Sequence, residues 1–240
     1  MVNRTALVTG GSSGIGLAIA RVLAEEGFAL TLTARRPDKL ESAAEELRGA
    51  GAQVLAVAGN VAQEEDVIDV VARHRDAYGR LDVLVNNAGL GVSGPIDEVA
   101  TKHVDMQLAV NLRSMILFYR EAMPMLRAAG LDGGALVVNT SSITGKVGTA
   151  GLSVYSATKH GMVGFTEAMN QELRDARIKS CVLCPAYVDT ALSDYVKDRV
   201  GAENMIRVED IGESVRFLLR LSPHCIVPEL IFRRPADSDV

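Results

Sequence analysis

Residues 9–16 read Thr-Gly-Gly-Ser-Ser-Gly-Ile-Gly and join a β-branched segment, Thr5 to Thr9, to an apolar segment of helical period that begins near Ile15. Glycines at a strand-to-helix turn let the chain reverse tightly and let backbone N–H groups approach a ligand. The helix start adds unpaired donors and a partial positive charge. The stretch therefore predicts a β–α turn able to hold a pyrophosphate. The alternative is a turn that only lets strand and helix pack closely.

Strand-like and helix-like segments alternate along the rest of the chain. Strands are predicted at Thr5 to Thr9, Ala29 to Ala34, Val54 to Ala58, Leu81 to Asn86, Ala135 to Thr140, Ile178 to Cys184 and Val227 to Phe232. Helices are predicted to begin near Ile15, Pro37, Gln63, Thr101, Leu152 and Val208. This alternation is typical of a parallel sheet covered on both faces by right-handed crossovers. We therefore predict an α/β fold with a doubly wound parallel seven-stranded sheet, a Rossmann fold, as a single domain over residues 1–240.

The composition is that of one ordinary globular domain. The chain has 240 residues, of which 48% are hydrophobic and 23% charged, and its formal net charge is −5. A chain of this length can build a full core without disulfides or metals. Its acidic balance, with no run of Lys or Arg, argues against nucleic acid and anionic membranes as partners.

The sequence also predicts a cytoplasmic protein without a metal site. Its first residues lack the basic and long apolar regions of a signal peptide, and no apolar segment is long enough to span a membrane. Cys181 and Cys184 have a zinc-like spacing, but no second pair follows, so we expect two packed core cysteines. The four histidines show no ligand spacing. The polar end, residues 233–240, is expected to be loose.

The residues after the second strand bear on the choice of nucleotide. Thr33-Ala34-Arg35-Arg36 offers no acidic residue to accept a hydrogen bond from a ribose 2′-hydroxyl. Arg35 and Arg36 can instead pair with a 2′-phosphate, so NADP(H) is favoured and NAD(H) is the second choice. Two solvated arginines at a helix start are the alternative interpretation. On the glycine turn alone, a methyltransferase that binds adenosylmethionine also stays open.

Several polar residues follow in an order that narrows the function. Asn86-Asn87-Ala88-Gly89 ends the fourth strand, Ser141 and Ser142 follow the fifth, and Tyr155 and Lys159 share one face of a helix. Together with residues 9–16 and Asn111, they closely resemble the short-chain dehydrogenase/reductase family. The resemblance extends from Thr5 to at least Thr190.

The resemblance implies roles for four catalytic residues. Tyr155 would be the acid/base, and the ammonium of Lys159 would favour its phenolate and bind the nicotinamide ribose. Ser142 would polarise the substrate oxygen, with Ser141 as the second candidate. Asn111 would hold a water that links Lys159 to solvent.

The resemblance likewise implies a set of cofactor-binding residues. They are Gly10, Ser12, Ser13, Gly14, Ile15 and Gly16 in the turn, Arg35 and Arg36, Asn60 and Val61 near adenine, Asn87, Ala88 and Gly89 in the cleft, Tyr155 and Lys159, and Pro185, Val188 and Thr190 near the nicotinamide. Ala186 stands where the family usually has glycine, which leaves the local backbone geometry open.

The function predicted is an NADP(H)-preferring oxidoreductase that interconverts a small carbonyl compound and an alcohol. A catalytically silent dinucleotide-binding sensor or scaffold is the alternative.

The substrate pocket is expected to be formed by residues 90–96, 143–152, Tyr187 and a mobile lid at 190–206. Its apolar side chains would be Val147, Leu152, Leu192, Tyr195 and Met205, and its polar ones Asp194 and Lys197. The sequence does not identify the substrate. Family membership further implies a homodimer or homotetramer, formed through long helices that include residues 101–129.

Overall fold

The computed structural model describes residues 4–236 and shows a seven-stranded, all-parallel sheet in the order β3-β2-β1-β4-β5-β6-β7. The strands are β1 (Thr5–Thr9), β2 (Ala29–Ala34), β3 (Val54–Ala58), β4 (Val83–Asn86), β5 (Ala135–Thr140), β6 (Ile178–Pro185) and β7 (Glu229–Phe232). The α-helices are α1 (Gly14–Glu25), α2 (Pro37–Gly49), α3 (Glu64–Tyr78), α4 (Thr101–Gln107), α5 (Ser114–Leu131), α6 (Ser153–Glu172), α7 (Asp194–Val200) and α8 (Val208–Arg220). The predicted Rossmann fold is confirmed.

Helices cover both faces of the sheet and create two apolar cores. In β1, Ala6 and Val8 point to a core formed with α1, α2 and α8, and Leu7 points to the core formed with α3, α5 and α6. This alternation follows from the two-residue period of a strand. Buried faces on both sides explain why the strands read as continuous apolar runs.

The strand order places the carboxyl ends of β1 and β4 next to each other at the centre of the sheet. Chain connections leave this point in opposite directions, because β1 pairs with β2 on one side and with β4 on the other. Such a switch point opens a crevice outside the carboxyl ends of the strands. The fold therefore positions the glycine turn and the Asn86–Gly89 segment at the same crevice.

The predicted cysteine packing is confirmed, and two strands begin later than expected. Cys181 and Cys184 are free and buried, on opposite faces of β6. Strand β4 begins at Val83 rather than Leu81, and β7 at Glu229 rather than Val227. Asp82, just before β4, is buried: its carboxylate accepts a hydrogen bond from the Thr5 N–H, and its own N–H donates to the Thr5 carbonyl.

The long helix predicted over residues 101–129 is divided. A π-helical turn, Leu108–Arg113, separates α4 from α5, and Pro124 lies within α5 without ending it. Helix α5 continues past Pro124 to Leu131. The interruption lies earlier, around Asn111, and π turns of this kind are frequent at functional sites.

Two remaining expectations concern the chain end and membranes. Residues 233–236 follow β7 as an irregular segment with a turn, whereas residues 237–240 of the predicted loose tail, and residues 1–3, lie outside the described range. No helix between residues 4 and 236 is long and apolar enough to cross a bilayer.

Candidate active site

A cleft of about 1200 Å³ runs along the carboxyl edge of the sheet. Small-molecule sites typically measure about 300–1,000 Å³, so this cleft has room for a large ligand together with a second, smaller one. Its walls come from the ends of most strands, and they include these predicted residues: Gly10, Ser12, Ser13, Gly14, Ile15, Arg35, Arg36, Val61, Asn87, Ala88, Gly89, Ser142, Tyr155, Lys159, Pro185, Val188 and Thr190. Gly16, Asn60 and Asn111 are the predicted residues that do not line it.

The start of α1 opens onto this cleft without a side-chain cap. Ser13 has the extended conformation of an N-cap residue, but its hydroxyl makes no capping hydrogen bond, and no acidic residue lies in the first turn. The first N–H groups of a helix have no partner within the helix. An uncapped helix start that faces a cleft fits a bound anion.

Two glycines of the turn allow close packing within the protein as well as the approach of a ligand. A Cβ on Gly16 would lie 2.3 Å from the carbonyl oxygen of Gly10, and a Cβ on Gly10 would lie 2.9 Å from Nδ2 of Asn87. Gly10 also has a φ of +65°, which favours glycine. The packing interpretation is therefore correct for Gly16, whereas Gly10 and Gly14 border the cleft.

The end of β4 braces the glycine turn. The hydroxyl of Thr9 accepts hydrogen bonds from the backbone N–H groups of Asn87 (2.9 Å) and Ala88 (3.0 Å). In return, the amide of Asn87 donates to the Thr9 carbonyl at 3.2 Å. These bonds fix the turn against Ala88 and Gly89, which form the cleft floor.

A buried hub at Asn139 joins β4, α5 and α6 below the cleft. Its Oδ1 accepts a hydrogen bond from the Asn86 amide at 2.9 Å, and its own amide donates to Tyr119 and Thr166, each at 2.9 Å. Tyr119 continues the chain of bonds to the Ser180 hydroxyl at 3.0 Å. Asn86 thus ties β4 to β5 through its side chain.

Ser142, Tyr155 and Lys159 converge in the cleft. Ser142 follows β5, and Tyr155 and Lys159 lie on consecutive turns of α6. The Ser142 side chain lies close enough to Tyr155 to influence the pKa of its phenol. The Lys159 ammonium lies 5.5 Å from the centre of the Tyr155 ring and donates to the Thr140 carbonyl at 2.8 Å. A proton donor, its hydroxyl partner and a buried cation therefore share one wall.

Burial governs the titration of both α6 side chains. It raises the pKa of Tyr155 to about 12, although the Ser142 side chain acts in the opposite direction. It lowers the pKa of Lys159 to about 8. Burial thus acts on the pKa of Tyr155 against the direction expected from the charge of Lys159.

The structure separates the roles of the two serines after β5. Ser141 is buried, and its hydroxyl donates to the Lys159 carbonyl at 3.0 Å, so it anchors α6 to the sheet. Ser142 is only half-buried and caps a short 3₁₀ turn by accepting from the Thr144 N–H at 3.2 Å. Of the two, Ser142 is the one whose hydroxyl reaches Tyr155.

Asn111 and Gln107 hold the loop after Gly89. The Asn111 side chain bonds both the N–H and the carbonyl of Leu90 at 2.9 Å, and it also donates to Thr158. One turn earlier, Oε1 of the fully buried Gln107 accepts from the Val92 N–H at 3.1 Å. The side-chain oxygen and nitrogen of Asn111 therefore both bond protein groups, whereas the resemblance implied that this residue holds a water. Sequence reasoning missed Gln107, and only its spacing of four from Asn111 hints at the shared face.

Of the residues expected to bind the adenosine half of a cofactor, three line the cleft and one does not. Arg35 and Arg36 are exposed at the end of β2 and line the cleft, and neither guanidinium has a partner among residues 4–236. Val61 also lines the cleft. Asn60 does not, because its Oδ1 accepts from the Ala62 N–H at 3.3 Å and so stabilises a local turn.

The segment after β6 lies across the glycine turn. A methyl group of Thr190 lies 3.2 Å from the position that a Cβ on Gly14 would occupy, and Val188 forms a bridge with Ile206. Residues 190–206 begin with a 3₁₀ turn and contain α7. Lys197 of α7 pairs with Asp189 at 2.9 Å and with Asp194 at 2.7 Å, which joins the segment to the cleft wall.

The apolar pocket residues predicted from the sequence divide into two groups. Leu152, Leu192 and Tyr195 line the cleft. Val147 is exposed and Met205 is buried, and neither lines it. The prediction was wrong for these two because nothing in their sequence neighbours distinguishes a pocket wall from a solvent-facing or core position.

The all-parallel sheet, the crevice at its switch point and the uncapped glycine turn define a nucleotide-binding α/β protein. A family model described as short chain dehydrogenase matches residues 4–201. The chain belongs to the short-chain dehydrogenase family, and the predicted NAD(P)-dependent oxidoreductase activity is confirmed at the level of that family.

Three similar proteins illustrate the relationship. A putative ketoacyl reductase of the granaticin polyketide synthase from Streptomyces violaceoruber is 38% identical over 212 residues, which cover 88% of this chain and 77% of the relative. An alcohol dehydrogenase from the archaeon Thermococcus sibiricus, complexed with 5-hydroxy-NADP, has a TM-score of 0.89 and 29% identity and covers 99% of both chains. A variant of actinorhodin polyketide ketoreductase with NADPH has a TM-score of 0.87 and 31% identity and covers 95% of each chain.

Proposed function

We propose that the protein is an NADP(H)-preferring oxidoreductase that interconverts a carbonyl compound and an alcohol, with Tyr155 as acid and base. The observation that carries the proposal is the convergence of Ser142, Tyr155 and Lys159 in one cleft, with the Lys159 ammonium 5.5 Å from the centre of the Tyr155 ring. A hydroxyl that can polarise a carbonyl oxygen and a phenol that can protonate it are the groups this reaction requires.

The residues present fit a dinucleotide. The uncapped start of α1 offers N–H donors for a pyrophosphate, with Gly10, Ser12, Ser13, Gly14 and Ile15 around it. Asn87 to Gly89 and Pro185, Val188 and Thr190 would border the nicotinamide half. When bound, the cofactor supplies or accepts the hydride.

The protein side of the reduction is a proton transfer. Ser142 donates a hydrogen bond to the substrate oxygen and holds it beside Tyr155. Tyr155 then gives its phenolic proton to that oxygen, and its pKa of about 12 keeps the phenol protonated throughout the physiological range. Lys159 holds the nicotinamide ribose and supplies positive charge near the phenolate that is left.

Asn111 has an indirect part in this scheme. Its side chain fixes the loop at Leu90, and it lies in the π-helical turn where the regular backbone hydrogen-bond pattern is interrupted. We propose that a water held at this turn connects Lys159 to solvent.

NADP(H) is proposed over NAD(H) because two guanidinium groups and no carboxylate stand at the end of β2. Arg35 and Arg36 are exposed there and can pair with a 2′-phosphate. NADP-type ligands in the two structural relatives support the same choice.

The proposal includes a cytoplasmic homodimer or homotetramer. Free thiols at Cys181, Cys184 and Cys225 are consistent with a reducing compartment. Leu108 and Ile116 are large apolar side chains that remain exposed on the helical stretch expected to meet a second subunit.

Replacing Tyr155 by Phe tests the mechanism. We expect NADPH to bind with unchanged affinity while carbonyl reduction falls by about 10²–10⁴-fold, the usual contribution of general acid catalysis. Tyr195→Phe is the matched control, because Tyr195 lines the same cleft and is 67% exposed. Full activity of Tyr155→Phe would refute the mechanism. Tight NADPH binding by the native protein without turnover across ketones, aldehydes, quinones and thioesters would favour the silent sensor.

A further inference from the structure

The charges that line the cleft are strongly unbalanced. Among the described residues that form its walls, five are basic, namely Arg35, Arg36, Lys159, Lys197 and Arg233, and one is acidic, Asp189. The chain as a whole carries a net charge of −5. The cleft is thus a cationic recess in an acidic protein, which focuses anions into it.

Two of the five cations have a partner in the protein, and two more lie where the proposed cofactor would supply one. Lys197 pairs with Asp189 and Asp194, and Lys159 is buried against the Thr140 carbonyl. Arg35 and Arg36 are placed at the adenosine end, where the proposed cofactor carries a phosphate. Arg233 is the remaining cation, and it forms no ion pair with a carboxylate between residues 4 and 236.

Arg233 follows directly after the end of β7 and lines the cleft. Leu230 and Phe232 of β7 pack on the core formed with α1 and α8. Side chains alternate along a strand, so Glu229 and Ile231 share the opposite face. Glu229 on that face pairs with Lys146 at 2.7 Å, in the loop that follows Ser142.

The backbone around Arg233 is held in place on both sides. The Phe232 carbonyl accepts from the Ala186 N–H at 2.9 Å. The guanidinium of Arg234 lies 5.3 Å from the centre of the Tyr187 ring, within reach of a cation–π contact. The chain end after β7 is therefore attached to the segment that also carries Val188 and Thr190.

We propose that the carbonyl substrate carries an anionic group, a carboxylate or a phosphate, and that Arg233 binds it. Arg233 is thereby a specificity-determining residue at the substrate end of the cleft. This inference rests on the proposed reductase function and adds the substrate class. An arginine suits the role because its planar fork binds carboxylate and phosphate oxygens in pairs.

The test compares matched substrates in Arg233→Gln and Arg233→Glu. Methyl ketones of increasing chain length that end in a carboxylate are paired with the methyl amides of the same length, and a keto-alkyl phosphate series forms a second arm. We expect the native enzyme to prefer the anionic member by about ten- to a hundredfold in kcat/KM, the range of a hydrogen bond to a charged group. Arg233→Gln should remove the preference, Arg233→Glu should reverse it, and kcat/KM for the amides should not change.

Arg174→Gln is the control variant, because Arg174 is an exposed arginine outside the cleft. Its preference should equal that of the native enzyme, and the native preference should weaken as salt is added. Equal kcat/KM for acid and amide in the native enzyme, or an unchanged preference in Arg233→Gln, would overturn the assignment. The arm that is preferred distinguishes carboxylate from phosphate.

A second measurement does not depend on turnover. Binding of the keto acids and the amides is measured on the NADPH complex of Tyr155→Phe by the change in nucleotide fluorescence, with and without Arg233→Gln. Selective keto-acid binding that needs Arg233 would support the inference even if no ketone were reduced. Equal binding of acid and amide would overturn it, whereas an absence of turnover alone contradicts only the proposed reductase function.

Discussion

His74 provides a way to test the physical description of the core. It is fully buried in α3, its Nε2–H donates to the Arg80 carbonyl at 2.8 Å, and its Nδ1 accepts from the Thr31 hydroxyl at 2.8 Å. Desolvation lowers the pKa of His74 from 6.5 to about 4, although the Arg80 carbonyl and the Asp82 charge act in the opposite direction. The native protein therefore holds a neutral imidazole that the unfolded chain protonates more readily.

This difference makes the free energy of unfolding depend on pH. Between pH 6.5 and about 4 the unfolded chain binds more protons at this site, so stability falls as the pH falls through that range. A tenfold difference in proton affinity is worth about 1.4 kcal/mol. The loss attributable to His74 is therefore about 2 kcal/mol at pH 5 and about 3 kcal/mol at pH 4.

His74→Gln isolates this effect from the carboxylates that also titrate in acid. Glutamine can donate to Arg80 and accept from Thr31, but it does not titrate. We expect urea unfolding to show a less stable variant at pH 7 and a difference that shrinks by about 2 kcal/mol at pH 5. His224→Gln, at an exposed histidine, is the control. Parallel stability curves for native protein and His74→Gln would refute the reasoning.

Four further predictions address the cleft. Arg35→Asp should weaken NADPH binding relative to NADH by at least about tenfold, and unchanged selectivity in titrations of both nucleotides would show that Arg35 does not contact the 2′-phosphate. Gln107→Leu leaves the Val92 N–H without its partner and should lower kcat with little change in NADPH affinity; Gln53→Leu, at a position outside the cleft walls, is its control. Gly16→Ala should lower both the melting temperature and the NADPH affinity, because its Cβ would meet the Gly10 carbonyl. Gly164→Ala is the control: it has open space around it in α6 and should raise the free energy of unfolding by about 0.5–1 kcal/mol. In the direction of reduction, kcat/KM should fall as the pH rises through about 8, where Lys159 loses its proton, and a flat profile above that pH would contradict this role.

The sequence predicts the parts of the molecule that depend on local patterns. The alternation of apolar strands and helices gives the sheet, and the glycine turn, the serine pair and the spacing of Tyr155 and Lys159 bring the main cleft residues together. These features are encoded over a few residues, or over one period of a strand or helix. The same local patterns give most element boundaries within two residues.

Features produced by contacts between distant segments escaped prediction. The π turn at Asn111 is associated with side chains that hydrogen-bond the backbone of Leu90 and Val92. A helical pattern of apolar residues does not predict such a turn. The proposed role of Arg233 depends on how residues 232–234 meet Ala186 and Tyr187 after β7 has joined the sheet. Burial, which raises the pKa of Tyr155, likewise depends on how distant segments enclose the cleft.

The hub at Asn139 has a consequence for how this enzyme can diversify. By joining β4, α5 and α6, it fixes the strand that leads to Ser142 relative to the helix that carries Tyr155. The groups that we propose move the proton therefore belong to one rigid frame. Residues 190–206 and Arg233 form other walls of the cleft, and they are not bonded to this frame through Asn139. New substrates can be accommodated by altering those walls alone, while the distances on which the chemistry depends are inherited unchanged.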